Sequence, residues 1–209
     1  MKITFPNIND FWQGVNEFRK HEQRDAMYKV ATRLVKDYWG KHEEVTDGLG
    51  VLLLTWNQAL YRYGMFDFSR LEQFLRRRDK ELNTYRNRDI AEWADSDDQA
   101  VQDIFNELLN ALISIGKDGV NRKSPVAVAK ALHLLAPAFF PLWDIAIAKG
   151  YGCYWYYSED ASSKYIAFSK KITDFCNYLK QNNVTDKTGM TLIKIVDEYN
   201  YSKFTQQWI

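Results

Sequence analysis

The stretch that decides the fold is SPVAVAKALHLLAPAFFPLWD, residues 124–144. Ser124 followed by a proline is typical of a helix N-cap and first turn, and Pro137 predicts where that helix ends. A short turn bounded by prolines then leads to Asp144, which can cap another helix. The segment therefore predicts two helices joined by a tight turn, with one lysine, Lys130, among alanines and valines.

Lys130 and Asp144 carry the most specific chemistry of this stretch. A lysine that loses solvent on an apolar helix has a pKa below its usual value of about 10.4, and its neutral amine is a nucleophile. A carboxylate at the start of the next helix can serve such an amine as a base, so the two residues are candidates for a catalytic pair. The alternatives are structural: a lysine whose stem covers apolar neighbours while its ammonium reaches water, and an aspartate that acts only as an N-cap.

Helical periodicity continues on both sides of this stretch. Apolar residues recur at spacings of three and four, and capping residues stand before several runs, namely Asp47, Asp67 or Ser69, and Ser96 with Gln99. The predicted helices lie at residues 11–18, 27–38, 49–63, 69–75, 97–113, 125–136, 145 onward, 161–179 and 191–199. No alternation typical of strands stands out, so the chain is predicted to be all-α.

Length and composition limit the class of protein. A chain of 209 residues suits one domain, residues 1–209, and a net charge of +1 neither indicates nor excludes a nucleic-acid partner. Only two cysteines are present, without metal-ligand spacing, and the first residues lack a secretory pattern. We therefore expect a soluble cytoplasmic protein without a membrane span, a metal or another cofactor.

Two motifs resemble those of one enzyme family. Residues 125–130 place a proline five positions before Lys130, the segment Pro141-Leu142-Trp143-Asp144 follows, and Lys149 stands five positions after the aspartate. Earlier in the chain, residues 53–58 read LLTWNQ. Together these motifs resemble the helix-hairpin-helix DNA glycosylases, the group that includes endonuclease III and the 8-oxoguanine glycosylases.

The resemblance covers about residues 47–152 and implies a fold. In that family a hairpin of the type Pro-Gly-Val-Gly-x-Lys leads into a helix that bears the reactive lysine, and a short turn then gives the aspartate. We therefore expect an all-α, glycosylase-like helical domain with its cleft between helical layers. Both family glycines are valines here, Val126 and Val128, so the tight backbone approach that glycine permits is lost.

The resemblance also implies a reaction and a partner. The expected activity is excision of a base from double-stranded DNA by a monomer, with Lys130 attacking the sugar C1′ and Asp144 assisting, and with associated lyase activity left open. Which base is excised is left open, with oxidised guanine and a modified pyrimidine such as phage DNA carries as the candidates. The chain has no four-cysteine signature, so the iron–sulfur cluster of some relatives is not expected.

Further site residues are carried over from the resemblance by position. The amide side chains of Asn57 and Gln58 are expected to contact the DNA around the extruded base. Three side chains are candidates to line its pocket, with burial in the core as the alternative: Trp56, Trp143 and His133. Four residues are candidates to contact the DNA backbone: Arg122, Lys123, Ser124 and Lys149.

Two other classes of function stay open at this point. A non-catalytic helical module that binds DNA or a protein on a degenerate form of the same fold is favoured by the loss of the hairpin glycines. A purely structural interaction domain would place the amine of Lys130 in bulk water with no cavity beside it. The orientation of Lys130 and Asp144 therefore separates these classes.

Overall fold

The computed structural model describes residues 4–22, 25–62, 64, 66–116, 118–185 and 188–209, apart from the side chain of residue 59. Most of the described residues are helical, as the periodicity predicts, and the strands among them form one two-stranded sheet. None of the helices in this part of the chain combines the length and apolar character that a membrane crossing requires.

The elements of the described residues follow in chain order. The α-helices are α1 (Ile8–His21), α2 (Ala26–Asp37), α3 (His42–Trp56), α4 (Gln58–Tyr61), α5 (Phe68–Arg86), α6 (Asp97–Ala111), α7 (Pro125–Leu135), α8 (Ile145–Gly150), α9 (Ala161–Gln181) and α10 (Leu192–Asn200). Two short 3₁₀ turns lie at Ile90–Glu92 and Ser158–Asp160, and a π-helical turn at Tyr201–Thr205 continues α10. The strands are β1 (Ser114–Ile115) and β2 (Asn121–Arg122).

Helix α7 lies at the centre of the packing. It contacts α2, α3 and α6, and its residues from Ala127 to Leu135 are buried except for Lys130. The start agrees with the prediction, because the hydroxyl of Ser124 accepts a hydrogen bond from the Ala127 amide at 3.2 Å. Lys130 is the only charged residue of this helix, so burial forces its amine to find polar partners inside the protein.

Helix α3 differs from its prediction at both ends. It begins at His42 instead of after Asp47, and the two glycines that follow the aspartate, Gly48 and Gly50, lie inside it. A Cβ at Gly50 would overlap the ring of Phe68, so this glycine serves the close approach of α5. The helix ends at Trp56, a short α4 follows, and residue 63 of the predicted helix lies outside the described residues.

The buried face of α2 differs in part from the predicted one. The apolar periodicity predicts a buried stripe of Met27, Val30, Ala31, Leu34, Val35 and Tyr38. Ala31 and Val35 are buried as predicted, whereas Met27 and Val30 are each about half exposed and Tyr28, outside the stripe, is buried. The hydroxyl of Tyr28 lies 2.9 Å from Nε2 of buried His133, and this hydrogen bond turns the tyrosine inward.

The predicted capping box of α6 does not form. Ser96 stands at the N-cap with a helical backbone, and its side chain makes no capping hydrogen bond. The carboxylate of Asp97 accepts from the Ala94 amide at 2.8 Å and pairs with Arg88 at 2.7 Å. These charge-assisted bonds hold the segment that precedes α6 and are not an N-cap of the helix.

A small hairpin joins α6 to α7. Strands β1 and β2 are antiparallel, with Ser114 opposite Arg122, and Gly119 supplies a turn residue with φ of +74°. Residues 125–130, which the resemblance places at a hairpin, form the first half of α7 instead. A serine cap and a proline at the first helical position commit this segment to helix.

The buried apolar residues form one cluster that runs from α1 to α10. Helices α1 and α10 pack together, and the hydroxyl of Ser202 in the π-helical turn donates to the Gly14 carbonyl of α1 at 2.8 Å. Cys153 and Cys176 are both free and buried. The C-terminal turn is thus anchored on the first helix.

Candidate functional site

A cavity of about 240 Å³ lies among α1, α3, α7, α8 and α10. Its charged lining consists of two ammonium groups and four carboxylates: Lys130, Lys194, Glu22, Asp25, Asp144 and Asp197. Its aromatic lining consists of Phe18, Trp56, Trp143 and Tyr201. Lys130 and Asp144, the pair that the sequence singles out, therefore face one cavity.

Lys130 reaches the cavity from the central helix. Its Nζ donates to the carbonyl of Trp56 at 3.1 Å and to Oδ1 of Asn57 at 2.9 Å, and lies 5.4 Å from the centroid of the Trp56 ring. Burial lowers the pKa of Lys130 from 10.5 to about 8, while the charges of Asp144 and Asp197 act in the opposite direction. With that pKa, about a tenth of the amine is neutral at pH 7.

Asp144 is held at both carboxylate oxygens. Oδ1 accepts from the Ile147 amide at 2.7 Å, which is the N-cap bond of α8 that the sequence predicts. Oδ2 accepts from the hydroxyl of Thr205 at 2.6 Å. Lys130 and Asp144 are not hydrogen-bonded to each other, and their interaction is Coulombic across the cavity.

Trp56 and Trp143 both line the cavity but differ in burial. Trp56 is half-buried and stacks on Tyr28 with ring centroids 6.1 Å apart. Trp143 is 1 % exposed, and its ring packs against Trp155 at 4.3 Å. Its Nε1 is buried without a hydrogen-bond partner among the described residues. Because a buried indole N–H normally finds an acceptor, this donor is a candidate contact for a bound ligand.

A second charged group at the cavity was missed by sequence reasoning. Nζ of Lys194 on α10 lies 3.3 Å from Asp25 and 3.4 Å from Asp197, and 4.7 Å above the rings of both Phe18 and Tyr28. Burial acts to lower the pKa of Lys194, yet the charges of Asp197 and Asp25 outweigh burial and raise it. Burial raises the pKa of Asp197 above its usual range, against the charge of Lys194.

The strongest signal for this group in the sequence is local. Lys194 interrupts the apolar run of α10, with Asp197 three positions later on the same face. A lysine on the buried face of a helix needs polar partners inside the protein, and for Lys194 these are carboxylates. No sequence pattern indicates that Asp25 contacts Lys194, since the two residues are far apart in the chain. In the structure Asp25 stands just before α2 with a left-handed backbone and φ of +37°.

Asn57 contacts the candidate amine itself. Its Oδ1 accepts from Lys130, and its Nδ2 donates to Oγ of Ser124 at 3.3 Å. The side-chain amide of Asn57 therefore contacts both the N-cap of α7 and the ammonium group of Lys130. Gln58, the other predicted amide, is exposed at the start of α4 and does not line the cavity. Their predicted contact with DNA stays a prediction.

His133 lies behind the cavity wall. It is fully buried, Nδ1 is 2.8 Å from the Phe140 carbonyl, and Nε2 is 2.9 Å from the Tyr28 hydroxyl. Burial lowers its pKa to about 3, so the ring is neutral at physiological pH. The structure therefore places His133 in the core, which is the alternative that the sequence left open.

The residues predicted to hold the DNA backbone lie outside the cavity lining. Arg122 on β2 pairs with Asp118, and Lys123 is exposed. Nζ of Lys149 lies 4.9 Å above the Tyr154 ring at the end of α8. Ser124 caps α7.

Comparison of the chain with protein-family models, with curated proteins and with solved structures gives no match. The site is therefore described by its own geometry. It combines an amine of lowered pKa, a carboxylate fixed at both oxygens and aromatic walls around one cavity.

Proposed function

We propose that this protein is a DNA glycosylase of the helix-hairpin-helix type, which excises a damaged or modified base by cleaving the N-glycosidic bond. The observation that carries the proposal is the position of Lys130 and Asp144 on one aromatic-walled cavity. The amine of Lys130 is largely buried and has no carboxylate within hydrogen-bond distance among the described residues, and burial lowers its pKa to about 8.

The size and walls of the cavity suit a single nucleobase. Its volume of about 240 Å³ exceeds the roughly 150 Å³ of a protein cavity that accepts a benzene ring. An enzyme that acts on a base in DNA must rotate the base out of the helix into such a pocket. Trp56 is half-buried at the lining, so its ring is available for stacking, which contributes about 1–3 kcal/mol per base.

The charge of the lining favours a base over a phosphate. Four carboxylates and two ammonium groups face the cavity, so its field repels an anion. Base edges rich in N–H donors find acceptors there. The DNA phosphates are then held outside the cavity, and the predicted contacts at Arg122, Lys123, Ser124 and Lys149 supply candidates for that task.

The proposed chemistry uses the neutral fraction of Lys130. Its nitrogen forms a bond to the sugar C1′ as the bond from C1′ to the base breaks, and the base leaves with the electron pair and takes up a proton from water. The nitrogen of Lys130 loses a proton to Asp144, and Asp144 returns that proton to the ring oxygen O4′ as the C1′–O4′ bond breaks. Opening of the sugar ring gives a Schiff base, and water then releases the lysine and leaves an abasic site.

The test is release of a base by the purified protein. Duplexes that carry oxidised guanine or modified pyrimidines are incubated with the protein, and released bases are detected by mass spectrometry. Borohydride reduces the Schiff base, so we expect a covalent protein–DNA adduct with wild type and none with Lys130→Gln. Lys80→Gln, which changes an exposed lysine of α5, is the matched control.

Two outcomes overturn separate parts of the proposal. Base release by Lys130→Gln at the wild-type rate would refute the nucleophilic role of Lys130. Absence of base release from every duplex would refute the glycosylase itself.

One observation favours the non-catalytic alternative. Residues 125–130 form helix, so the backbone amide of Val128 donates to the Ser124 carbonyl at 3.2 Å and is not available to a DNA phosphate. A module of this kind would bind duplex DNA or a protein without releasing a base, and Lys130→Gln would leave its affinity unchanged.

A further inference from the structure

The C-terminal turn reaches the proposed reaction centre. Tyr201 lines the cavity at the start of the π-helical turn, and the hydroxyl of Thr205 at its end donates to Oδ2 of Asp144 at 2.6 Å. Because the Ile147 amide holds Oδ1, two segments that are distant in sequence fix one carboxylate. The sequence gives no indication of this contact.

The π-helical geometry places Thr205 where this contact is made. The amide of Gln206 donates to the Tyr201 carbonyl at 2.9 Å, a five-residue step that widens the helix by one residue. This widening changes the direction of the side chains that follow α10. Single π-helical turns inside helices are frequently found at functional sites, although the turn alone does not indicate one.

Neighbouring elements hold the turn on two sides. Ser202 is bonded to the Gly14 carbonyl of α1, and the Phe204 ring lies edge-on to Tyr151 with centroids 5.6 Å apart. Gly150 at the end of α8 leaves room for Phe204, since a Cβ there would overlap the ring. The distance from Thr205 to Asp144 is therefore set by packing on α1 and α8.

We infer that Thr205 is a positioning residue for Asp144, and that the C-terminal turn is part of the active site. The inference rests on the proposed function. With Oδ1 and Oδ2 each bonded, the carboxylate has one orientation, and the remaining lone pairs of Oδ2 are available to the cavity. An acceptor in a fixed orientation receives the proton of Lys130 without first having to reorganise.

A merely structural role for Thr205 makes different predictions. A hydroxyl that only ties the chain end to α8 would affect stability whatever stands at position 144. A hydroxyl that orients Asp144 affects the rate only while the carboxylate is present. The two roles therefore separate in a double-mutant cycle.

The experiment compares Thr205→Val, which is similar in size but lacks the hydroxyl, with Thr205→Ser, which keeps it. We expect the single-turnover rate of base release to fall by about ten- to a hundred-fold in Thr205→Val, with unchanged affinity for the duplex, and to recover in Thr205→Ser. In an Asp144→Asn background, Thr205→Val should cause no further loss. Thr173→Val, which removes a half-buried hydroxyl bonded to Ser169 on α9, is the matched control and should retain the rate.

A second measurement tests the positioning of Asp144 without depending on base release. Three-bond NMR couplings report whether the side chain of Asp144 keeps one χ1 rotamer. We expect one rotamer in wild type and Thr205→Ser, and averaging in Thr205→Val. A single rotamer in Thr205→Val, or an equal rate loss with and without Asp144, would refute the positioning role. Absence of base release by wild type would refute the proposed function, and the couplings would still decide the positioning of Asp144.

Discussion

Lys130 and Lys194 are two buried amines on the same cavity, and their surroundings differ. Lys130 donates to two neutral oxygens, the Trp56 carbonyl and the Asn57 amide. Lys194 lies between the carboxylates of Asp25 and Asp197. Burial lowers the pKa of the first to about 8, whereas the neighbouring charges overcome burial and raise the pKa of the second.

The difference shows that the partner, and not burial alone, decides what a buried lysine can do. Neutral oxygens bond to an amine and to an ammonium alike, so they leave the cost of desolvating the charge largely uncompensated. Carboxylates stabilise the ammonium and keep it charged. Lys130 is accordingly the candidate nucleophile, and Lys194 is the structural cation that keeps two acids at the cavity.

The largest expected effect is on stability, when Lys194 is replaced by methionine. This change leaves Asp25 and Asp197 without their cation, and breaking a buried ion pair in this way costs about 3–5 kcal/mol of unfolding free energy. Urea denaturation at pH 7.5 measures the loss. Lys130→Met is the matched control and should lower unfolding free energy far less or raise it, because it frees only neutral acceptors and also removes the cost of burying the ammonium of Lys130.

Equal losses in the two lysine variants would contradict the comparison. They would show that the surroundings of the two amines are equivalent in energy.

The next effect is a dependence of stability on pH that comes from Lys130. Its pKa is about 8 in the folded protein and 10.5 when burial is absent, so the unfolded chain binds more protons between these values. Unfolding free energy should therefore rise with pH from about 8 to 10.5, by up to about 3 kcal/mol, and the destabilisation is fully present below pH 8. The measurement is urea denaturation of wild type and Lys130→Met over pH 7–10, and parallel curves would contradict it.

A third change makes Lys130 resemble Lys194. Asn57→Asp places a carboxylate at the amine, where the amide oxygen now lies 2.9 Å away. An opposite charge at this distance should raise the pKa of Lys130 by about 1–3 units, which the ¹³Cε resonance of the lysine measures in a pH titration. Asn57→Ser removes the contact without adding charge and is the control. An unchanged titration in Asn57→Asp would show that burial alone governs this amine.

The smallest effect is expected at Asp25. Its Oδ2 lies 3.3 Å from Lys194 but forms no well-aligned hydrogen bond, and Asp197 remains when this carboxylate is neutralised. Asn tolerates the left-handed backbone at this position, so Asp25→Asn should lower unfolding free energy by roughly 1 kcal/mol or less. A loss as large as that of Lys194→Met would show that Asp25 carries most of the pairing.

The two lysines also show how much of the site the sequence predicts. Lys130 could be predicted because its signals are local: a serine cap, a proline and a run of alanines and valines around one amine. The pairing of Lys194 with Asp197 is local, but the second carboxylate at its amine belongs to Asp25, which lies before α2 and far away in the chain, and no local pattern indicates that second contact. The same holds for Thr205, whose contact with Asp144 depends on how the C-terminal turn packs.

The fold shows the same division between local and distant causes. Helical periodicity and the caps at Asp67, Ser124 and Asp144 predict the elements that they start. The predicted start of α3 was wrong, because Gly48 and Gly50 lie inside the helix, and the contact that explains Gly50 is made by the ring of Phe68, which is not a neighbour in sequence. The predicted buried face of α2 was wrong in part for a similar reason, since Tyr28 points inward to a hydrogen bond with the distant His133.

The reactivity of the two cysteine thiols can report local unfolding of the protein. Cys153 and Cys176 are buried and unpaired, and burial raises the pKa of both, so neither is reactive in the closed structure. An alkylating reagent can modify them only when the chain around α8 or α9 exposes them. The labelling rate of Cys153 therefore reports local unfolding after α8, and that of Cys176 reports local unfolding of α9.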